Sequence, residues 1–110
     1  MKKHIENAKS FGVPVIVAIN RFHTDTDAEI QVIKEEALAA GAEDAIPADH
    51  FAKGGAGAVE LGKGVIKAAG LPKNDFKPLY EVEGNTPLDR IEAIAKKFYG
   101  ADKVEFSELA

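Results

Sequence analysis

Phe22 and Phe51 stand in similar company. Phe22 follows "VPVIVAIN" and Arg21, and precedes His23 and the string Thr24-Asp25-Thr26-Asp27. Phe51 follows "DAIPADH" and precedes "AKGGAG". Each ring thus lies just past a short apolar run and just ahead of a stretch that can start a helix. Two aromatic faces supply stacking area, and the Asn20 amide can both donate and accept hydrogen bonds. Such a set suits a flat heteroaromatic ligand. Plainer roles compete at every position. A phenylalanine after a strand ordinarily belongs to the core. Thr26 is most simply a helix cap, and "KGGAG" is most simply a turn.

Other chemistries are poorly served. The glycine string has no Gly-Lys-Ser/Thr element, so it is not a Walker A loop, and it does not follow the GxGxxG dinucleotide pattern. His4, His23 and His50 lack metal-ligand spacing, and the chain has no cysteine. No Ser-His-Asp grouping and no isolated carboxylate pair stands out as catalytic, so no catalytic residue and no metal ligand is assigned. The net charge of −4 speaks against a nucleic-acid binder, which would carry a basic face. No apolar run reaches membrane-spanning length, and no signal peptide is visible. The absence of cysteine is compatible with a reducing cytoplasm, and a cytoplasmic location is expected.

The elements that must position these residues alternate. Residues 3–10 read as a helix closed by Gly12. Val13–Ile19 is short, apolar and rich in β-branched residues, which reads as a strand buried on both faces, as in a parallel sheet. Thr26 and Glu29 have capping-box spacing, and Ile30, Ile33 and Ala37 carry a helical stripe over 26–40 that Gly41 stops. A second strand is placed at Ala45–Ala48. The glycine cluster leads into a helix over 57–69 carrying Val59, Val65, Ile66 and Ala69. After an irregular connection with a short extended piece at Leu79–Val82, Thr86, Pro87 and Asp89 start a helix over 87–99. Leu88, Ile91, Ile94 and Phe98 form its expected buried stripe. Val104–Phe106 is the expected last strand.

This order implies one α/β domain over 1–110: a small parallel sheet flanked by helices, Rossmann-like or P-loop-NTPase-like and three-layered, without the phosphate loop itself. A start inside a helix and an end just past a strand suggest a part of a larger α/β protein. Ligands of open α/β sheets bind at the carboxyl ends of the strands. If the first two strands are parallel neighbours, Phe22 and Phe51 share one rim.

The strings "FGVPVIVAINRFHTDTDAEI", "FAKGGAGAVEL", "NDFKPLYE" and "AKKFYGADKVEFS" resemble formate–tetrahydrofolate ligase, in order and nearly end to end. The combined strings are specific, whereas single glycines are not. The resemblance covers one domain-sized part of a much longer enzyme, whose Gly-Lys-Thr phosphate loop lies upstream of this stretch. It implies an ATP-dependent ligase that joins formate to tetrahydrofolate through formyl phosphate, giving 10-formyltetrahydrofolate, with Mg2+ and a monovalent cation. It implies the remainder of a parent chain as partner, and a homo-oligomeric parent. By position, Phe22 and Phe51 match the family's pterin-lining aromatics. Asn20, Thr24, Asp25, Lys53, Gly54 and Gly55 become further pocket candidates. Two departures stand out: Phe51 replaces the family's usual Trp, and His23 its usual Pro. The isolated chain is expected to be inactive.

Two other classes compete. A strand ending in "AIN" with Asp25 nearby is similar to the [NT]KxD string of GTP-binding proteins, but Lys is absent and the Asp is displaced by two positions. A non-catalytic α/β interaction domain is the other, although a receiver-like module would need an acidic cluster that these strand ends lack.

Overall fold

The computed structural model describes residues 1–72, 74–81 and 83–109. The chain divides into two compact units, Met1–Asp75 and Phe76–Ala110.

The first unit is a small α/β arrangement. Helix α1 (Lys2–Lys9) leads to strand β1 (Ile16–Asn20), helix α2 (Asp27–Ala39) and strand β2 (Asp44–Ala48). A short helix α3 (His50–Lys53), a 3-10 turn (Gly54–Ala58) and helix α4 (Val59–Ala69) follow. The two strands pair in parallel, with Ile16 opposite Asp44 and Asn20 opposite Ala48. β1 starts at Ile16 rather than Val13 because Pro14 has no N–H for a ladder.

Alternation divides the sheet into two faces. Ile19 and Ala45 point into a core with Ile5 of α1, Ile30 and Ala37 of α2, and Ala42, with Val15, Val17 and Ile33 packed against it. Ile46 points the other way, toward α4. A Cβ built on Gly64 would lie 2.2 Å from Ile46 Cδ1, so the missing side chain at Gly64 lets the helix approach the strand. The α4 face is less covered than a fully buried strand requires: Ala18 is exposed and Ile16 half-buried. Gly41 ends the α2 turn with φ of 98°, a conformation that other residues rarely adopt.

The second unit is built on helix α5 (Pro87–Lys97). Lys97 Nζ donates to the Leu79 carbonyl, and the Arg90 guanidinium lies 5.5 Å from the centroid of the Tyr80 ring, so the preceding segment is held on the helix. The extended piece expected at Leu79–Val82 is a bend at Leu79 and Tyr80, and Val82 lies outside the described residues. Two further expectations are corrected. Val104–Phe106 forms no strand. The α5 stripe is not buried: Leu88, Ile91 and Ile94 are exposed and Phe98 half-buried. One helix with short flanking segments cannot enclose its own apolar face, and three alternating residues make no strand without a neighbour to accept the ladder.

Both helix starts read from the sequence form as full capping boxes. Thr26 N–H donates to Glu29 Oε2 at 2.8 Å and Glu29 N–H to Thr26 Oγ1 at 3.2 Å. Thr86 and Asp89 repeat the pattern at 2.9 and 3.3 Å. The Thr86 amide, then its hydroxyl, hold the Asp89 carboxyl below the ordinary aspartate value. A lowered folded-state pKa stabilises above the ordinary value, and that contribution is lost as pH falls through the lowered one. Acid should therefore loosen the start of α5, and Asp89→Asn should remove this acid sensitivity; the pH dependence of Thr86 amide exchange reads both. Thr26→Ala and Thr86→Ala should each cost about 1 kcal/mol.

Candidate functional site

Parallel pairing brings the two strand ends side by side. One residue past β1, the Arg21 amide donates to the carbonyl of Ala48, the last residue of β2, at 3.1 Å. That bond extends the ladder by one step and ties the loop of Phe22 to the segment that carries Phe51. The two rings stand 6.0 Å apart between centroids, tilted by 57°. That distance falls within the range of aromatic pairs. Both rings line a cleft of about 230 Å³, together with Arg21, His23, Asp49 and Ala52.

Neither ring is a core residue. Phe22 is 51% exposed and Phe51 81%. Large apolar side chains left this open on one rim are candidates for contact with something outside these 110 residues. Backbone bonds, rather than burial, set their positions. The Phe22 amide donates to Asp25 Oδ2 at 2.9 Å, and the Asp25 amide returns a bond to the Phe22 carbonyl at 3.0 Å. Arg21 Nη2 reaches Asp27 Oδ1 at 2.7 Å across the same loop. On the other side, the Asp49 amide donates to the Gly57 carbonyl at 3.0 Å, and Lys53 N–H to the Asp49 carbonyl at 3.0 Å. The single turn of α3 thereby presents Phe51 at the cleft.

The glycine string has a definite geometry. Gly54 ends α3 with φ of 62° and ψ of −147°, a region nearly confined to glycine. A Cβ on Gly57 would sit 2.2 Å from the Asp49 carbonyl oxygen, so the loop folds back against the backbone that leads into Phe51. Gly55 has open space where a Cβ would go.

Of the residues singled out from the sequence, Phe22 and Phe51 come together. Asn20 and Asp25 instead line a neighbouring hollow of about 440 Å³ with Ile19, Glu29, Ile30, Val32 and Ile33. Lys53 pairs with Asp49 at 3.4 Å and does not itself line the cleft. Thr24, Gly54 and Gly55 are exposed and do not line the cleft. Arg21, His23 and Asp49 do line it, and the sequence reading did not put them among the pocket residues. Each is a near neighbour of a strand end, and that adjacency was the available signal. Arg21 and Asp49 are each ion-paired at the edge of the cleft, Arg21 with Asp27 and Asp49 with Lys53. Another hollow, of about 350 Å³, lies at the opposite end of β1 among Val13, Pro14, Ile16, Val65, Ala68, Ala69 and Asn74. Among the described residues its lining is uncharged, and it sits away from the strand carboxyl ends.

The comparison with known proteins decides the family. A family model described as formate–tetrahydrofolate ligase matches residues 1–110, the whole chain. The chain belongs to the formate–tetrahydrofolate ligase family. Within the family's reach are proteins named C-1-tetrahydrofolate synthase. The mitochondrial one of Schizosaccharomyces pombe is 50% identical over 111 residues, covering 100% of this chain and 11% of that protein. The mitochondrial one of Saccharomyces cerevisiae is 51% identical over 108 residues, 98% of this chain and 11% of that protein. The cytoplasmic one of Homo sapiens is 45% identical over 106 residues, 96% of this chain and 11% of that protein. The chain thus spans about a tenth of the length of these relatives. Their names cover both cytoplasm and mitochondrion. Among the described residues no helix is long and apolar enough to cross a membrane.

Proposed function

We propose that this chain forms the folate side of the active site of an ATP-dependent formate–tetrahydrofolate ligase, with Phe22 and Phe51 as walls for the pterin ring. The observation that carries the reading is the open aromatic pair at 6.0 Å on the rim made by two parallel strand ends. A pterin is flat and heteroaromatic, so exposed ring faces give it stacking area, and Arg21, His23 and Asp49 offer polar partners at its edge. Asn20, Thr24, Asp25, Lys53, Gly54 and Gly55 flank the cleft without lining it, and of these Asp25 and Gly54 fix the loop backbone. The strand pair is one part of a larger three-layer, P-loop-like sheet of the longer ligase, and homo-oligomeric assembly belongs to that protein. A cytoplasmic placement is the reading taken from the relatives named cytoplasmic, beside which mitochondrial ones stand.

We assign no site for ATP, Mg2+ or a monovalent cation to this stretch. The glycine string lacks the Gly-Lys-Ser/Thr element, and among the described residues no three of His, Asp and Glu gather as a metal site. What this stretch can do is bind and orient: ring faces fix the plane of the pterin, and the rim holds it toward whatever chemistry the remaining chain supplies.

In a full-length family ligase carrying this segment, Phe22→Ala and Phe51→Ala should each raise the tetrahydrofolate KM about tenfold. That follows from about 0.5–1.5 kcal/mol of stacking plus the lost burial. The KM for ATP should hold. A core role for the rings predicts the reverse, lowered thermal stability with unchanged folate saturation.

A further inference from the structure

We infer that Asp25 is a positioning residue for the pterin cleft: its carboxylate fixes the backbone of Phe22 so that the ring meets Phe51 before any ligand arrives. The inference rests on the folate reading above and adds a residue that does not itself line the cleft. Phe22 is half exposed, so packing alone does not hold it. What holds it is a reciprocal pair of bonds, Phe22 N–H to Asp25 Oδ2 at 2.9 Å and Asp25 N–H to the Phe22 carbonyl at 3.0 Å. The first involves a charged acceptor, the stronger kind. The flanks are already anchored elsewhere. Arg21 N–H is tied to Ala48, and Thr26 closes its own capping box with Glu29. The Arg21–Asp27 bridge at 2.7 Å also closes this loop, but it grips the two flanks, whereas the Asp25 carboxylate grips the Phe22 amide itself. Without it, the loop samples conformations in which Phe22 leaves the rim, and apparent affinity falls by the fraction of time the cleft is formed.

The chemistry is specific to an acceptor at this place. The Asp25→Asn change keeps one carbonyl oxygen for the amide, whereas Asp25→Ala keeps none. Asp25→Ala should therefore raise the tetrahydrofolate KM about three- to tenfold, for a formed fraction falling to about 0.1–0.3. Asp25→Asn should recover part of it, and the ATP KM should stay unchanged.

The deciding experiment is a double-mutant cycle of Asp25→Ala and Phe22→Ala in the full-length family ligase, reading tetrahydrofolate and ATP saturation together. Expected is strong coupling: Asp25→Ala costs nothing further once the Phe22 ring is gone, because it acts only through that ring. Equal cost in both backgrounds, or a parallel rise in the ATP requirement, would overturn the positioning role. If Phe22→Ala itself leaves folate saturation unchanged, the folate reading fails, and this inference with it. If Phe22→Ala raises the KM and Asp25→Ala does not, the positioning role alone fails. Should Asp25→Ala not yield folded protein, Asp25→Asn in the same cycle decides by the same coupling.

Discussion

Gly57→Ala is expected to damage this unit more than any other single-methyl change in the glycine string. The new Cβ would sit 2.2 Å from the Asp49 carbonyl oxygen, 2.4 Å from its carbon and 2.8 Å from the His50 nitrogen. All three are backbone atoms, so no side chain can swing aside. The loop must move away, and the Asp49 N–H to Gly57 carbonyl bond stretches or breaks. Overpacking of this kind costs about 1–3 kcal/mol, with a further 0.5–1.5 kcal/mol or so from the lost bond. Because Asp49 leads directly into α3, the shift is passed on to Phe51. Gly57→Ala should therefore lower thermal stability and raise the tetrahydrofolate KM in a full-length ligase. Gly55→Ala is the matched control, since nothing lies within 4 Å of its Cβ position. Melting curves and folate saturation for the two variants decide it. Indistinguishable behaviour would mean the loop is not clamped on Asp49.

The second large effect is the absence of turnover. The 110-residue chain alone should form no 10-formyltetrahydrofolate from formate, tetrahydrofolate and ATP. Phosphoryl transfer depends on positioned cations and backbone donors that neutralise the developing charge, and one such cationic group alone can be worth about a thousandfold or more in rate. This stretch brings an aromatic rim and a glycine turn, without a phosphate loop. A purified chain, assayed beside an identically prepared Phe22→Ala variant to expose contaminants, should stay at background. Turnover that tracks the wild-type chain would mean that the reaction centre lies within these residues.

Local features are legible where the physics is local. Thr26 with Glu29, and Thr86-Pro87 with Asp89, announce helix starts because caps involve residues three apart. The β1 and β2 positions follow from apolar runs and their parallel pairing from the intervening helix, which is why Phe22 and Phe51 fall on one rim. The misses are non-local. Val104–Phe106 alternates like a strand, yet a strand exists only where a neighbour offers a ladder. Leu88, Ile91 and Ile94 repeat like a buried stripe, yet periodicity names a face without naming what covers it. α3 is hidden because four residues carry no helical period and "KGGAG" right behind them reads as a turn; only the bonds around Asp49 make it one helical turn. The place of Asp25 in its string marks it as a pocket candidate. Its bond to the Phe22 amide is visible only in three dimensions.

The most direct measurement of the central claim is fluorine NMR on a full-length family ligase carrying this segment, with para-fluorophenylalanine placed at position 22 in one sample and at 51 in another. Tetrahydrofolate at saturation should shift both resonances, because a stacked pterin changes the ring-current field at each, while saturating ATP should leave both in place. Two resonances unmoved by tetrahydrofolate, in an enzyme that still saturates with it, would contradict the assignment of this cleft to the pterin.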